Sequence, residues 1–480
     1  MAFSSMTFLC VFFPLSLIIY YIIPPKAVNV RNIFLMIISL LFYAYGEPVY
    51  VLLMLFCTLL NYICTNAMAY VRDKEKKGEK AILVICCIIN LAVLGVFKYT
   101  GMLVTSVNSL LGMSIPVPQI SLPIGISFFT FQAMSYTIDV YRGNAKREKS
   151  FYKVLLYISF FPQLIAGPIV RYADIAQEID DRHASLNDVA EGIRRFIIGL
   201  SKKVLISNAL GLAVDSIYAL ESYQIGMATA WLGAIAYMMQ IFFDFSGYSD
   251  MAIGLGRMFG FHFRENFNYP YIAVTIQDFW RRWHISLTNW FREYLYIPLG
   301  GNRKGKTRTW INRLIVFFCT GLWHGASWNF VLWGLYHGLF LTIETMLPKS
   351  DKSAGFIKKC VKHIYVLLVV CIGFVFFRAE TLPKAIVIIQ AMFAKPVWDA
   401  QISAATMGII NGSLISALVL SFVFMFPIKP AIAKRVSEMK DLRAKEFTVN
   451  VSYVVSVALL ILCMLSLAGG TYNPFIYFRF

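Results

Sequence analysis

Residues 1–24 read MAFSSMTFLCVFFPLSLIIYYIIP, and from Phe8 onward they form an apolar run of the kind that crosses a lipid bilayer. No basic residue precedes this apolar core and no small-residue cleavage pattern follows it, so we expect a retained membrane span and not a signal peptide. Similar runs recur along nearly the whole chain. They lack the alternation of barrel strands, and only closed helices or closed barrels satisfy the backbone in hydrocarbon, so they predict membrane helices.

The composition indicates the same class of protein. Of the 480 residues, 58% are hydrophobic and 15% are charged, which excludes a string of soluble domains. The net charge of +18 comes from 44 basic and 26 acidic residues. The basic residues gather in short connectors that the positive-inside rule places in the cytoplasm, so we expect contacts with membrane lipids and none with nucleic acid. Nine cysteines fall mostly within apolar runs, which indicates small buried side chains.

We predict an all-α, polytopic membrane protein with roughly 11–13 membrane helices. The candidate spans are residues 8–24, 32–46, 48–70, 81–97, 123–141, 154–170, 226–245, 314–330, 331–347, 364–378, 407–427 and 449–469. Residues 171–222 are amphipathic, which suits either a helix lying in the membrane interface or a helix packed inside a bundle. Asp244, Ser246, Tyr248 and Asp250 place polar groups at the end of a predicted span, as either a cavity lining or an interfacial cap.

Residues 277–301, QDFWRRWHISLTNWFREYLYIPLGG, are too polar to span a membrane and too aromatic for an ordinary loop. Their tryptophans favour the membrane interface, and Arg281 with Arg282 favours its cytoplasmic side. We therefore predict a re-entrant or interfacial helix beside a cavity.

His324 lies within a predicted span, where an ionisable side chain without a function is costly. If the span leaves the cytoplasm at Arg313, the helix rise places His324 about 16 Å higher, near the bilayer centre. The alternative is a packing histidine that is hydrogen-bonded to a neighbouring helix. His337, in WGLYHGL, has the same ambiguity as His324. His284 is open between a second active-site group and a polar residue at headgroup level.

The sequence contains no GxSxG, HExxH or phosphate-loop motif, so it lacks the templates of soluble hydrolases, zinc proteases and NTPases. A buried neutral imidazole suits the removal of a proton from a hydroxyl that attacks an activated acyl group. It also suits a proton relay. The residues therefore indicate either acyl transfer or a transporter or flippase of polymer or lipid-linked sugar.

Six segments resemble the membrane-bound O-acyltransferase (MBOAT) family, and within it the bacterial AlgI-type branch of polysaccharide O-acetyltransferases. They are LFYAYGEPVYV (41–51), LPIGISFFTFQAMSYTIDVYRG (122–143), FPQLIAGPIVRYADI (161–175), FFDFSGYSDMAIGLGRMFGF (242–261), QDFWRRWHISLTNWFREYLYIPLGGNRKG (277–305) and GLWHGASWNFVLWGLYHG (321–338). The likeness covers nearly the whole chain.

The resemblance implies one membrane domain over residues 1–480, with helices around a central tunnel and a catalytic core segment over residues 277–338. It implies catalytic roles for His324 and His284 in the bacterial cytoplasmic membrane. It also implies a cytoplasmic acyl thioester donor, most often acetyl-CoA, with no permanently bound cofactor and no metal. The expected acceptor is a cell-surface polysaccharide, and the expected partner is a separate SGNH-type acetyltransferase. Transfer of D-alanine to teichoic acid from a protein-bound thioester is a further possibility within the family.

We expect five residues of the core segment to bind the donor: Arg281, Arg282, Trp283, Arg303 and Lys304. The positive charges of the two arginines at 281 and 282, and of Arg303 and Lys304, would attract the phosphates of a nucleotide-bearing thioester. A role as inside-positive anchors explains any single one of these charges equally well.

The chain ends on PFIYFRF, residues 474–480, after one predicted span beyond the last basic connector. We therefore predict an extracytoplasmic aromatic tail over residues 471–480. Its rings either form an interfacial belt or enter the outer tunnel mouth, with the phenol of Tyr477 receiving the acyl group. The second alternative rests on the similar aromatic motif of a small companion peptide in the teichoic-acid D-alanylation system.

Overall fold

A computed structural model describes residues 1–165, 167–346, 355–396, 399–439, 441–470, 472–473 and 475–476. Every regular element in these residues is a helix, as predicted. Six of the described helices are long and apolar enough to cross a membrane: Val51–Asp73, Glu79–Leu111, Leu186–Ala219, Met227–Met258, Phe356–Arg378 and Glu446–Gly469. A seventh results if the bent pair Ala400–Ile409 and Gly412–Phe424 counts as one span. The remaining predicted spans fall on shorter or more polar helices.

The chain divides into two compact units, residues 1–196 with 249–265 and residues 197–248 with 266–480. The single membrane domain stays a prediction. The first unit contains the helices Phe8–Phe12, Phe13–Ile22, Val28–Ala44, Val51–Asp73, Glu79–Leu111, Ile126–Arg142, Phe151–Ser159, Phe161–Leu164 and Tyr172–Asp180, and most of Leu186–Ser201.

The predicted span 154–170 is wrong as one continuous helix. The structure has a helix over Phe151–Ser159 and a separate turn of helix over Phe161–Leu164. The break falls at Phe160, which has extended backbone angles (φ −53°, ψ 111°). Pro162, at the start of the second helix, has no N–H to donate to the carbonyl oxygen four residues earlier, so it cannot continue the first helix.

The second unit contains Lys202–Ser207, Asn208–Ala219, Ser222–Gln224, most of Met227–Met258, Pro270–Ile272, Ile276–Arg282, Ile285–Phe291, Arg292–Tyr296, Lys306–His324, Trp328–Met346, Phe356–Arg378, Leu382–Phe393, Ala400–Ile409, Gly412–Phe424, Ile428–Ser437 and Leu442–Gly469. The predicted span 407–427 is bent by 70° between its two helices. Asn411 produces this break, because its side chain accepts the N–H of Leu414 at 2.9 Å and so caps the second helix.

The amphipathic region 171–222 contains a helix that we did not predict as a span. A helix runs from Leu186 to Ala219 and includes a π-helical segment, Lys202–Ser207. This helix is long and apolar enough to cross a membrane. The mixed, amphipathic sequence leaves this stretch open between an interfacial helix and a helix packed inside a bundle. Lys203, however, is buried and pairs with the carboxylate of Asp244 at 2.7 Å, so its charge is compensated inside the protein.

The predicted span 226–245 ends too early. The helix continues to Met258, so Asp244 and Asp250 lie inside it and are not an interfacial cap at its end. Each carboxylate has a basic partner within its own unit: Asp244 pairs with Lys203, and Asp250 pairs with Arg195 at 2.9 Å. The polarity of this stretch therefore reflects buried or partly buried ion pairs.

Residues 277–301 form short helices, Ile276–Arg282, Ile285–Phe291 and Arg292–Tyr296, none of which is long enough to span a membrane. The first helix is capped by Thr275, whose hydroxyl accepts the N–H of Asp278 at 2.9 Å. The segment thus has the broken, non-spanning form that its composition predicted.

Candidate active site

His324 is the last residue of the helix Lys306–His324, and its side chain is buried. The helix ends there because Gly325 adopts an extended backbone (φ −170°, ψ 157°). The helix Trp328–Met346 begins after a short turn and packs against the first one. His324 therefore lies at the tip of a helical hairpin.

Glycines bring the two helices of this hairpin into backbone contact. A Cβ atom on Gly321 would overlap the carbonyl oxygen of Phe330, and a Cβ atom on Gly334 would overlap that of Phe317. Small residues at helix crossings allow this close approach within membranes. The glycines thereby fix the position of His324 relative to the second helix.

Aromatic rings surround the imidazole of His324. The ring centroids of Trp323, Trp333 and Phe377 lie 5.0, 5.0 and 5.1 Å from that of His324, and all three meet it edge to face. These rings form a rigid wall that fixes the orientation of the imidazole.

The imidazole of His284 lies beside this wall, with its ring centroid 6.4 Å from that of His324 and 5.8 Å from that of Trp323. His284 is also buried and occupies the break between the helices Ile276–Arg282 and Ile285–Phe291. Its backbone is left-handed (φ 44°, ψ 54°), which is unusual for a residue other than glycine and persists only where the surroundings hold it.

Asn266 holds the backbone at His284 in this conformation. Its side-chain oxygen accepts the N–H of Ser286 at 3.1 Å and the Ser286 hydroxyl at 2.9 Å, and its backbone oxygen accepts the N–H of Ile285 at 2.9 Å. The sequence analysis did not identify Asn266, because nothing in its local sequence distinguishes it from a loop asparagine.

The contacts of Asn266 also define the protonation of His284. The Asn266 side-chain oxygen acts as an acceptor and lies 3.2 Å from His284 Nδ1, so Nδ1 carries the proton. Nε2 is then a buried acceptor without a hydrogen-bond partner in the part of the chain that the structure describes. Burial lowers the pKa of His284 to about 3, which keeps the ring neutral at physiological pH.

A cleft of about 520 Å³ opens beside these histidines. Its lining includes Trp280, Arg281, Arg292 and Thr320. Thr320 precedes His324 by four residues, which is one helical turn or about 6 Å along the helix axis. The cleft therefore combines cationic side chains with an inner wall close to the catalytic candidate His324.

The family model of the membrane-bound O-acyltransferases matches residues 36–378, which is more than half of the chain. The chain belongs to this family. It is accordingly an O-acyltransferase and a multi-pass membrane protein, which confirms the family, the fold class and the enzyme class predicted from the sequence.

Relatives of this acyltransferase are named for several acceptors. The probable alginate O-acetylase AlgI of Pseudomonas putida is 37% identical, and the match covers 100% of both chains. The peptidoglycan O-acetyltransferase of Helicobacter pylori is 34% identical over 81% of this chain and 79% of its own. The teichoic acid D-alanyltransferase of Bacillus subtilis is 29% identical over 54% and 69%, respectively. The common feature of these names is acyl transfer, with alginate, peptidoglycan and teichoic acid as the named acceptors.

The predicted donor-binding residues of the acyltransferase lie in different surroundings. Arg281 lines the cleft, and no acidic side chain among the described residues pairs with it. Arg282 pairs with Asp278 at 2.9 Å and also donates to the carbonyl oxygen of Asn268 at 3.2 Å. Arg281 is therefore the more available of the two for an anionic ligand.

Trp283 is buried, with its ring 5.1 Å from Phe267 and 5.6 Å from Phe279 between centroids, and is absent from the cleft lining. Arg303 and Lys304 are exposed in the turn before the helix Lys306–His324 and are likewise absent from the lining. Arg292, which the sequence analysis did not select, does line the cleft.

His337 joins the aromatic wall on its other side, with its ring centroid 5.2 Å from those of Trp333 and Trp280. Trp333 thus lies between His324 and His337, and Trp280 connects His337 to the cleft. The remaining catalytic candidate, Tyr477, lies outside the described residues.

Proposed function

We propose that this acyltransferase takes an acetyl group from a cytoplasmic thioester donor and passes it across the bacterial cytoplasmic membrane for O-acetylation of a polysaccharide outside, with His324 as general base. The observation that carries the proposal is the pair of buried histidines, His324 and His284, beside a cationic cleft: Thr320, one helical turn before His324, and Ile285, which follows His284, both line it. Relatives named for alginate, peptidoglycan and teichoic acid support an envelope polymer as the final acceptor.

In the proposed reaction, one proton moves from the attacking hydroxyl to the departing thiolate by way of His324. His324 takes the proton of an attacking hydroxyl as its oxygen bonds to the thioester carbonyl carbon, the C–S bond breaks, and the proton passes from His324 to the departing thiolate. His284 presents a neutral acceptor nitrogen beside His324 and orients the hydroxyl or a bound water. The protein supplies position and a site walled by aromatic rings, and the donor supplies the activated acyl group.

Purified acyltransferase in lipid nanodiscs, supplied with acetyl-CoA and a soluble glycan acceptor, tests this function. We expect release of CoA thiol above the background hydrolysis and acetyl esters on the acceptor or on the protein. Release from a carrier-protein thioester alone would shift the proposal to a D-alanyl-type donor. Absence of release from either donor would contradict the proposed acyl transfer.

The cleft side chain Arg281 is expected to bind the donor phosphates. Arg281→Ala should raise KM for acetyl-CoA by about 3- to 10-fold, because a charge-assisted hydrogen bond is lost at a site that solvent still screens. The change in kcat should be smaller than the change in KM, because Arg281 does not contact the reacting atoms. Initial rates of CoA release across a range of acetyl-CoA concentrations measure both constants.

Arg435→Ala is the matched control, since Arg435 is exposed on the helix Ile428–Ser437 and is absent from the cleft lining. It removes the same charge and should leave KM unchanged. Equal increases in KM for the two variants would indicate a general charge effect and would remove Arg281 from the donor site.

Tyr477 is the proposed acyl carrier. A phenol has a pKa of about 10, above that of a thiol at about 8.5 and below that of a sugar hydroxyl, so an aryl ester retains enough transfer potential to acylate a serine or a sugar. In this step the phenol oxygen of Tyr477 attacks the thioester carbonyl, and an SGNH-type partner then accepts the acetyl group on its own hydroxyl.

Tyr477→Phe removes the hydroxyl and should abolish labelling of the protein by radiolabelled acetyl-CoA. Tyr223→Phe, at an exposed tyrosine elsewhere in the chain, is the control and should label like the wild type. Mass spectrometry of the C-terminal peptide locates the label. Equal labelling of the wild type and Tyr477→Phe would exclude Tyr477 as carrier.

A further inference from the structure

The described residues of the C-terminal tail fold back onto the second unit. The hydroxyl of Tyr472 donates to Asp215 Oδ2 at 2.6 Å, while Arg378 binds the other carboxylate oxygen at 2.6 Å. The side-chain amide of Asn208 lies 3.3 Å from the backbone oxygen of Tyr472. Polar contacts with fixed geometry therefore hold the start of the tail.

Phe475 and Ile476 continue this docking and are both buried. The ring of Phe475 stacks on Tyr248, with the centroids 4.5 Å apart and the planes inclined by 25°. The backbone N–H of Ile476 donates to Asp244 Oδ2 at 2.8 Å. Asp244 thus recognises the tail through its main chain, which fixes the register of the tail independently of the side chain at this position.

The position of Asp244 suits this role. Its side chain is buried within the helix Met227–Met258, and its second oxygen, Oδ1, pairs with Lys203 at 2.7 Å. A buried carboxylate needs partners for both oxygens. Lys203 binds one of them and the tail binds the other, so release of the tail would leave Oδ2 without the Ile476 N–H.

The helix that carries Asp244 also contacts the candidate active site. Phe245, the residue after Asp244, meets the His284 ring edge to face with centroids 4.6 Å apart. The residue after Ile476 in the sequence is Tyr477, the proposed acyl carrier. One turn of helix therefore contacts both the tail and the histidine site.

We infer that Asp244, paired with Lys203, is a positioning residue that holds the C-terminal tail in the register needed for acyl transfer. Its effect on the reaction rests on the proposed function, whereas its effect on tail docking can be measured separately. Asp244 acts through the tail and does not itself contact the donor or the acceptor.

Hydrogen exchange of the Ile476 amide, measured on the full-length protein in nanodiscs, tests the docking. In the double variant Lys203→Met/Asp244→Leu both charges are removed together, so that neither is left buried and uncompensated, and the acceptor for the tail is lost. We expect the Ile476 amide to exchange at least tenfold faster in this variant than in the wild type. Asp244→Asn keeps a side-chain oxygen acceptor and should give a smaller acceleration.

Asp250→Asn is the matched control, because Asp250 is a second carboxylate on the same helix but pairs with Arg195 in the first unit. In the Asp250→Asn variant, the Ile476 amide should exchange as in the wild type. For acyl transfer, the double variant should lower kcat at least tenfold without a comparable change in KM for acetyl-CoA, since the donor cleft is untouched.

Unchanged exchange in the double variant would overturn the inference. Faster exchange with unchanged kcat would also overturn it, because docking would then not position the tail for transfer. A wild-type protein that transfers no acyl group would refute the proposed function, and the exchange rates would still decide whether Asp244 holds the tail.

Discussion

His324→Ala is expected to lower kcat for acyl transfer by about 10²- to 10⁴-fold, the contribution typical of a positioned general base. The imidazole is buried among aromatic rings, so no neighbouring solvent base replaces it directly. KM for the donor should change much less, because the cleft that holds Arg281 is formed by other side chains. Initial-rate measurements with acetyl-CoA separate the two constants.

His324→Gln and His183→Ala are the control variants for His324→Ala. Glutamine retains much of the volume and hydrogen-bonding capacity of histidine but is not a base, so it should be as inactive as alanine while folding normally. His183 is exposed in the first unit, and its replacement should leave the rate unchanged. An active His324→Gln variant would show that His324 packs and orients but does not transfer a proton.

In cells, His324→Ala also distinguishes an acyltransferase from a transporter. Loss of polymer acetylation with normal polymer export is the expected phenotype of His324→Ala. Loss of export itself would support the alternative of a polymer or lipid-linked sugar transporter in which His324 relays protons. Colorimetric determination of O-acetyl esters, together with the mass of secreted polymer, distinguishes the two.

The helical class was predictable because apolar run length alone identifies helices that can cross a bilayer. Two of the errors occurred where partners distant in sequence compensate polar residues. Residues 171–222, which include Lys203, are amphipathic in sequence, and the predicted span that contains Asp244 ends at residue 245, yet Lys203 and Asp244 neutralise each other across two helices. A one-dimensional pattern scores each charge separately and cannot recognise such a pair.

The burial of His324 was predictable for a related reason. An ionisable side chain inside a predicted span, as at His324, stands out against an apolar background. Asn266 does not stand out, because its role depends on the fold bringing a loop to the backbone of His284. Trp283, Arg303 and Lys304 were selected by residue type, which gives no information on whether a side chain reaches the cleft, and none of the three lines it.

Gly334→Ala is expected to destabilise the protein by about 3 kcal/mol, at the upper end of the range for overpacking a tight contact. The added methyl group would overlap the carbonyl oxygen of Phe317, and a backbone atom within a helix cannot move aside as a side chain can. The hairpin must therefore open, which shifts His324 away from Trp333. We expect a lower thermal unfolding midpoint in detergent and a reduced kcat.

Gly95→Ala provides the control for this substitution. Gly95 lies inside the helix Glu79–Leu111, and a Cβ atom there would meet no atom within 4 Å. Alanine at this position should stabilise the protein slightly, by about 0.5–1 kcal/mol, because glycine destabilises a helix interior by that amount relative to alanine. The two variants make the same chemical change, so opposite effects on the unfolding midpoint would assign the loss in Gly334→Ala to the helix crossing. A Gly334→Ala protein with wild-type stability and activity would show that the hairpin carrying His324 tolerates separation, and the close crossing would then not be what positions the base.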